Sequence, residues 1–320
     1  MQSQNTGASR RTALALGAGT ALTAALGLTA AGPAQALTTP ATTPATTPAS
    51  SPRERRATAR LRALEERYGA RLGVHAHDVR TGRTLAHRDR ETFPMCSLFK
   101  TLAAAAVLRD LDHDGSFLAH RIHYTDDYVT RSGWSPKTGL KHNIANGMTV
   151  AELCDATIRY SDNTAANLLL RELGGPTAIT RFARSIGDPA TRLDRWEPEL
   201  NSAEPWRDTD TTTPRAIART YGRLVLGRVL APADRALLTD WLLRNTTSST
   251  RLRKGLPADW TVADKTGGGD YGTNNNAGIA WPPDGGPLLI AVLTTRPDKA
   301  AKGVDELVAA AAAVVADELR

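Results

Sequence analysis

Three separated stretches of this 320-residue chain carry groups whose types and spacing could activate a hydroxyl. In residues 93–108, FPMCSLFKTLAAAAVL, Ser97 and Lys100 stand three positions apart. On a helix such residues share a face, about 5–6 Å apart between Cβ atoms, so the amine could reach the hydroxyl. Pro94 near the start places Ser97 in the first turn, where unpaired N–H groups favour a developing negative charge. The surrounding Ala and Leu side chains disfavour a charged ammonium and would leave Lys100 able to accept a proton. The second stretch is Tyr160-Ser161-Asp162-Asn163, between two helical patterns. Ser161 could relay a proton there, and the Asn163 amide could donate to and accept from a bound amide. The third, Lys265-Thr266-Gly267-Gly268-Gly269, ends the strand pattern WTVADKT. It offers an ammonium and a hydroxyl to a carboxylate, with glycine backbone that an acyl group can approach. A phosphate loop is excluded, since its glycines precede the lysine.

Each stretch alone has an ordinary explanation: a serine N-cap with a snorkelling lysine, a Ser/Asp N-cap, a strand running into a glycine turn. Their function depends on elements that bring them together. Residues 53–69 have a helical pattern, and LGVHAHDV, RTGR and TLAHR read as strand, turn and strand. From Phe93 to about Leu243 the patterns are helical. WTVADKT, NAGIAWP and PLLIAVLTT then read as strands, and KGVDELVAAAAAVVADEL as a closing helix. The expected fold is α+β: a sheet part from residues 53–92 and 245–320, an all-helical part from 93–244, and a cleft between them.

The ordered set S-x-x-K, S-D-N, K-T-G marks serine β-lactamases and penicillin-binding proteins. Over residues 53–320 the chain resembles a class A serine β-lactamase, most closely the secreted enzymes of high-GC Gram-positive actinobacteria. The resemblance implies a β-lactamase/transpeptidase-like fold with a five-stranded antiparallel sheet flanked by helices. What separates the lactamases from the peptidases is Arg195-Trp196-Glu197-Pro198-Glu199-Leu200-Asn201, which looks like the class A omega loop; without the family it is a charged loop.

The resemblance assigns Ser97 as nucleophile, with Lys100, or Glu197 through water, as its base; the sequence leaves both open. The backbone N–H groups of Ser97 and Gly268 would hold the oxyanion, and Ser161, assisted by Lys265, would protonate the lactam nitrogen. Glu197, helped by Asn201, would activate the deacylating water. Asn163, Thr266 and Gly267 would contact substrate, Trp134 matches an aromatic gatekeeper, and Arg195 with Asp210 would close the loop. Many relatives carry a carboxylate-binding arginine on the strand after K-T-G, where this chain has Asn274; Arg251 matches the alternative position, with Arg253 as competitor. The implied reaction is hydrolysis of penicillins and cephalosporins, with neither metal nor cofactor, by a monomer. The competing functions are a D,D-peptidase that penicillin merely blocks and a noncatalytic β-lactam sensor.

Composition fits a soluble enzyme, with 41% hydrophobic and 23% charged residues. Residues 1–36 contain Arg10-Arg11, an apolar run and an Ala34-Gln35-Ala36 end, the pattern of an export signal of the twin-arginine type. The repeat TTPATTPATTPASSP follows, so residues 37–52 read as a semi-extended linker and the product as secreted. Removing Arg10 and Arg11 takes the formal charge from +7 to +5. No Lys/Arg block is interleaved with aromatics, so nucleic acid is excluded as a partner, and so is a membrane after export. Of seven histidines, only His75-Ala76-His77-Asp78 approaches a ligand pattern, and a half-exposed strand is the reading adopted. The two cysteines, Cys96 and Cys154, are expected to be free and buried: the positions bridged in some relatives are Ala104 and Gly269 here.

Overall fold

Strand β1 (Arg71–Asp78) turns back into β2 (Thr84–His87), and β3 (Thr261–Gly269), β4 (Thr273–Trp281) and β5 (Leu288–Thr295) come from the other end of the chain. They form one antiparallel sheet in the order β2-β1-β5-β4-β3. The computed structural model describes residues 52–320. The segments read from the sequence as an export signal and a linker lie, up to residue 51, outside the described residues. Pro52 opens helix α1 (Pro52–Tyr68), where its missing N–H costs nothing.

The sheet is covered on both faces, which is why β5, LLIAVLTT, is buried throughout instead of alternating. Leu72, Val74 and Ala76 of β1, with Ile290 and Val292 of β5, pack against α1 and α8 (Asp305–Leu319). Leu289, Ala291 and Leu293 point to the opposite side, into the core shared with the helices. Period-two alternation thus survives as a choice between two apolar layers. The same coverage overturns the half-exposed reading of β1. His75 is buried, its Nδ1 2.9 Å from Asp89 Oδ2, with Arg215 Nε 2.8 Å from the same oxygen.

A 3-10 turn, Cys96–Leu98, leads into α2 (Phe99–Ala106), all eight of whose residues are buried. A helix apolar on every side belongs in a core. Packed around or near it are α3 (Val150–Arg159), α4 (Asn163–Glu172) and α5 (Thr177–Ser185), followed by α6 (Pro214–Val225) and α7 (Pro232–Leu243). Their starts are written locally: Thr149 and Glu152 form a capping box on α3, Asp162 caps α4, and Thr213 precedes Pro214 on α6. Although it falls within the stretch expected to be helical, α6 lies directly against β1, β4 and β5. Cys96 and Cys154 are free and buried, and burial pushes both thiols up. No helix among the described residues is long and apolar enough to cross a membrane.

Candidate active site

The turn before α2, the loop before α4, the loop at 194–202 and strand β3 converge on one set of side chains. Lys100 and Lys265 are completely buried, and Ser97 and Glu197 nearly so. Lys100 Nζ lies 2.9 Å from Glu197 Oε1, 2.7 Å from Asn163 Oδ1 and 2.8 Å from the Ser161 carbonyl. Three acceptors around one amine match the three N–H bonds of an ammonium. Burial therefore does not leave Lys100 without partners, because protein oxygens replace water. Nor does it bond directly to Ser97 as the spacing predicts. Ser97 Oγ donates to Glu197 Oε1 at 3.4 Å, so the carboxylate joins hydroxyl and ammonium.

Glu197 is fixed on every side. Its Oε2 accepts from Asn201 Nδ2, while Asn201 Oδ1 is buried without a partner. The Glu197 N–H donates to Asn167 Oδ1 at 3.0 Å, and Asn167 Nδ2 donates to the Glu197 carbonyl at 2.9 Å. Asn167 was missed in the sequence, where it reads as one more polar residue of α4; its position one helical turn after Asn163 was the available signal. The loop is closed by Arg195, whose Nε is 2.5 Å from Asp210 Oδ2 while Nη1 donates to Ser202 Oγ at 2.8 Å. Asp210 Oδ1 also accepts the N–H groups of Asp194 and Arg195.

On the opposite wall Lys265 Nζ donates to Ser161 Oγ at 2.9 Å and to the Thr266 carbonyl at 2.8 Å. Burial, then the neighbouring charges of Lys100 and Arg251, hold the Lys265 ammonium well below the usual lysine range. Ser161 Oγ lies 3.5 Å from Lys100 Nζ, so it bridges the two lysines. Cys96, Ser161 and Asp210 all have left-handed backbone, with φ of +47°, +56° and +56°. Such conformations cost of order 1 kcal/mol or more each, and here they flank the site.

Lys265 sits at the centre of β3 and not at its end, because the glycines continue the strand. They are there for close approach. A Cβ on Gly267 would lie 3.0 Å from the Met95 carbonyl, and one on Gly269 2.6 Å from the Asn201 carbonyl and 2.9 Å from Cys96 Sγ. The strand can therefore run against both the nucleophile turn and the 199–202 turn. A Cβ on Gly268 would meet only the Thr273 carbonyl, at 3.7 Å.

The two candidate arginines separate cleanly. Arg253 turns away to Asp264 Oδ1 at 2.9 Å and to the carbonyls of Leu242, Leu243 and Val262. Arg251 is held through Nε on Asp305 Oδ1 at 2.7 Å, and its Nη1 reaches the Gly267 carbonyl at 3.2 Å. Asn274, in the region where many relatives carry the arginine, donates to the same Asp305 oxygen at 2.9 Å. Thr266 Oγ1 is paired with Thr247 Oγ1 at 2.5 Å. Trp134 is exposed, with Nε1 on the Tyr160 carbonyl at 3.1 Å and its own carbonyl accepting from the Asn163 N–H. Asn163 Nδ2 donates to the Ser132 carbonyl at 3.0 Å, so both ends of this amide are engaged inside the protein. Among the described residues, no group of three or more His, Cys, Asp or Glu is placed to hold a metal ion.

The arrangement can polarise a serine, shuttle a proton through a second serine, and present a fixed carboxylate to an ester formed on the first. Residues 56–319 match the model of the beta-lactamase enzyme family. A β-lactamase of Streptomyces fradiae is 62% identical over 97% of this chain and 96% of its own length. One from Streptomyces lavendulae is 66% identical over 81% of this chain and 85% of its own. The solved β-lactamase from Streptomyces albus G superposes with a TM-score of 0.81 at 62% identity, over 82% of this chain and 98% of that one. The β-lactamase structure from Desulfarculus baarsii gives 0.80 at 47% identity, over 83% of this chain and 98% of that one. The chain belongs to the β-lactamase enzyme family and is a β-lactam-hydrolysing enzyme of the actinobacterial type.

Proposed function

We propose that the chain is a class A enzyme that opens penicillins and cephalosporins through an ester on Ser97. The observation that carries this reading is the position of Glu197, a buried carboxylate 3.4 Å from the Ser97 hydroxyl with its second oxygen on Asn201. A penicillin-blocked peptidase or a sensor has no use for it.

Ser97 Oγ attacks the lactam carbonyl and gives its proton to Glu197, whose Oε1 already accepts from it. Lys100 Nζ, facing three acceptors, lies between the Glu197 carboxylate and the Ser161 hydroxyl. The backbone N–H groups of Ser97 and Gly268 hold the oxyanion; one such donor is typically worth about 10²–10³ in rate. As the C–N bond breaks, Ser161 protonates the departing nitrogen, and the proton that Glu197 took from Ser97 passes through Lys100 Nζ, 2.9 Å from Glu197 Oε1 and 3.5 Å from Ser161 Oγ, to restore the Ser161 hydroxyl, which Lys265 holds at 2.9 Å. Glu197 then takes a proton from water, and the unpartnered Asn201 Oδ1 offers that water a second contact. The hydroxide attacks the ester and Ser97 leaves with a proton. The substrate carboxylate faces Thr266 and Arg251, where Lys100, Lys265 and Arg251 make the cleft wall positive. Trp134 on the rim packs against the substrate side chain.

The test is to mix the enzyme with benzylpenicillin and nitrocefin. The parent should turn over both many times, whereas Glu197→Ala should accumulate an adduct on the peptide bearing Ser97, detected by intact mass and digestion. An unchanged steady-state rate for the variant would remove Glu197 from its role. We further read residues 1–36 as a cleaved signal, residues 37–52 as a linker and the mature enzyme as a secreted monomer. Protein recovered from culture medium should begin near Leu37 and run as one chain in sedimentation.

A further inference from the structure

The carboxylate anchor has a member that neither the motifs nor the comparisons assign, in the loop before the arginine. Thr247 Oγ1 is 2.5 Å from Thr266 Oγ1 and 2.8 Å from Asn245 Oδ1, which also accepts the Thr247 N–H at 3.0 Å. Hydroxyl protons are assigned from the network around them. Asn245 Nδ2 donates to Asp264 Oδ1 at 3.3 Å, and Asp264, ion-paired with Arg253, can only accept. The Asn245 amide is therefore oriented, and its Oδ1 can only accept from Thr247. The Thr247 proton goes to Asn245, so the short Thr247–Thr266 bond must be carried by the proton of Thr266.

This order points the Thr266 hydroxyl proton away from any bound anion. For Thr266 to donate to a carboxylate, Thr247 must turn its own proton from Asn245 Oδ1 to Thr266 Oγ1. The turn is easy because Asn245 Oδ1 keeps the backbone N–H of Thr247. The result is a chain in which Thr247 donates to Thr266 and Thr266 donates to the anion, each bond strengthening the next. Resting on the carboxylate reading of Thr266 and Arg251, we infer that Thr247 is a positioning residue for the substrate carboxylate, setting the direction in which Thr266 donates.

The test measures kcat and KM for benzylpenicillin and for its uncharged methyl ester. Thr247→Val should raise KM for the acid about three- to tenfold, the usual range for one hydrogen bond to a charged group, with kcat within about twofold. Thr247→Ser keeps the hydroxyl and should bring KM back to within about twofold of the parent. With the ester the Thr247→Val effect should vanish, and added to Thr266→Val the substitution should cost nothing more. If Thr247→Val leaves KM unchanged while Thr266→Val raises it, the anchor stands and the role of Thr247 is overturned. It is equally overturned if Thr247→Ser is as impaired as Thr247→Val, since the methyl would then matter and not the proton. If Thr266→Val itself leaves KM unchanged, the carboxylate reading fails and this proposal with it. Matching melting temperatures across the set show that the comparison is between folded enzymes.

Discussion

Lys100 Nζ lies 2.9 Å from Glu197 Oε1, and neither side chain has any exposure to solvent. Removing one partner of such a pair strands a charge in the core, at about 3–5 kcal/mol. Lys100→Met should therefore lower stability by about that amount in urea titrations. The double variant Lys100→Met/Glu197→Gln should recover part of the loss, because the stranded carboxylate is gone. Strict additivity of the two single variants would show that the pair is not coupled.

The Asn167 side chain grips the Glu197 peptide from both sides. Asn167→Ala leaves a buried N–H and a buried carbonyl without partners, each worth about 1–3 kcal/mol. The melting temperature should fall, and kcat should fall more than kcat for acylation alone, because a loosened Glu197 aims the deacylating water poorly. Rapid-quench experiments should show the acyl-enzyme fraction rising. A stable variant with normal deacylation would make Asn167 dispensable.

Lys265 has a folded-state pKa well below its ordinary 10.5, first through burial and then through Lys100 and Arg251. Its ammonium is therefore lost as pH rises through the depressed folded value, and kcat/KM for carboxylate-bearing substrates should decline on an alkaline limb earlier than an ordinary lysine would give. Lys265→Arg keeps the charge and should push that limb upward. Between the folded value and 10.5 the unfolded chain binds more protons at this position, so the contribution of Lys265 to stability rises with pH there.

His75 contributes a second pH dependence, at the acidic end. Burial, with Arg215 and Arg219 adding to it, lowers its pKa from 6.5 despite the bond to Asp89. The unfolded imidazole protonates first as pH falls below 6.5, so stability from this site is fully present above 6.5 and drains away down to the folded value. Thermal melts between pH 7.5 and 5 should fall in the parent. In His75→Asn, which keeps a donor toward Asp89, the slope should flatten; an identical slope would place the acid sensitivity elsewhere.

The two arginines should respond differently to the same change. Arg251→Ala should mainly raise KM for substrates bearing the carboxylate. Arg253→Ala strips the buried Asp264 of its ion pair and should cost about 3 kcal/mol in stability. Its KM should stay near the parent value. Reversed outcomes would exchange their roles.

What the sequence by itself determined was the set of candidate reacting groups and the elements that carry them. Ser97 and Lys100, Ser161 to Asn163, and Lys265 to Gly269 are legible because each cluster is local, and so are the caps at Thr149, Asp162 and Thr213, since a cap is satisfied within three residues of its own position. Local pattern could not say which partner wins when several compete. Helical spacing directed Lys100 toward Ser97, but the acceptors that hold it come from two other loops, 61 and 97 positions away. The glycines after Lys265 read as following the end of a strand because the close approach of the Met95 and Asn201 carbonyls, which needs them flat within it, is invisible in sequence. His75 read as half-exposed because nothing in HAHD shows that α6 will cover that face. The turning of Arg253 toward Asp264, the grip of Asn167 on Glu197 and the pairing of Thr247 with Thr266 belong to the tertiary structure alone. Each depends on distances between residues far apart in the chain, and those are set by how the sheet and helices pack.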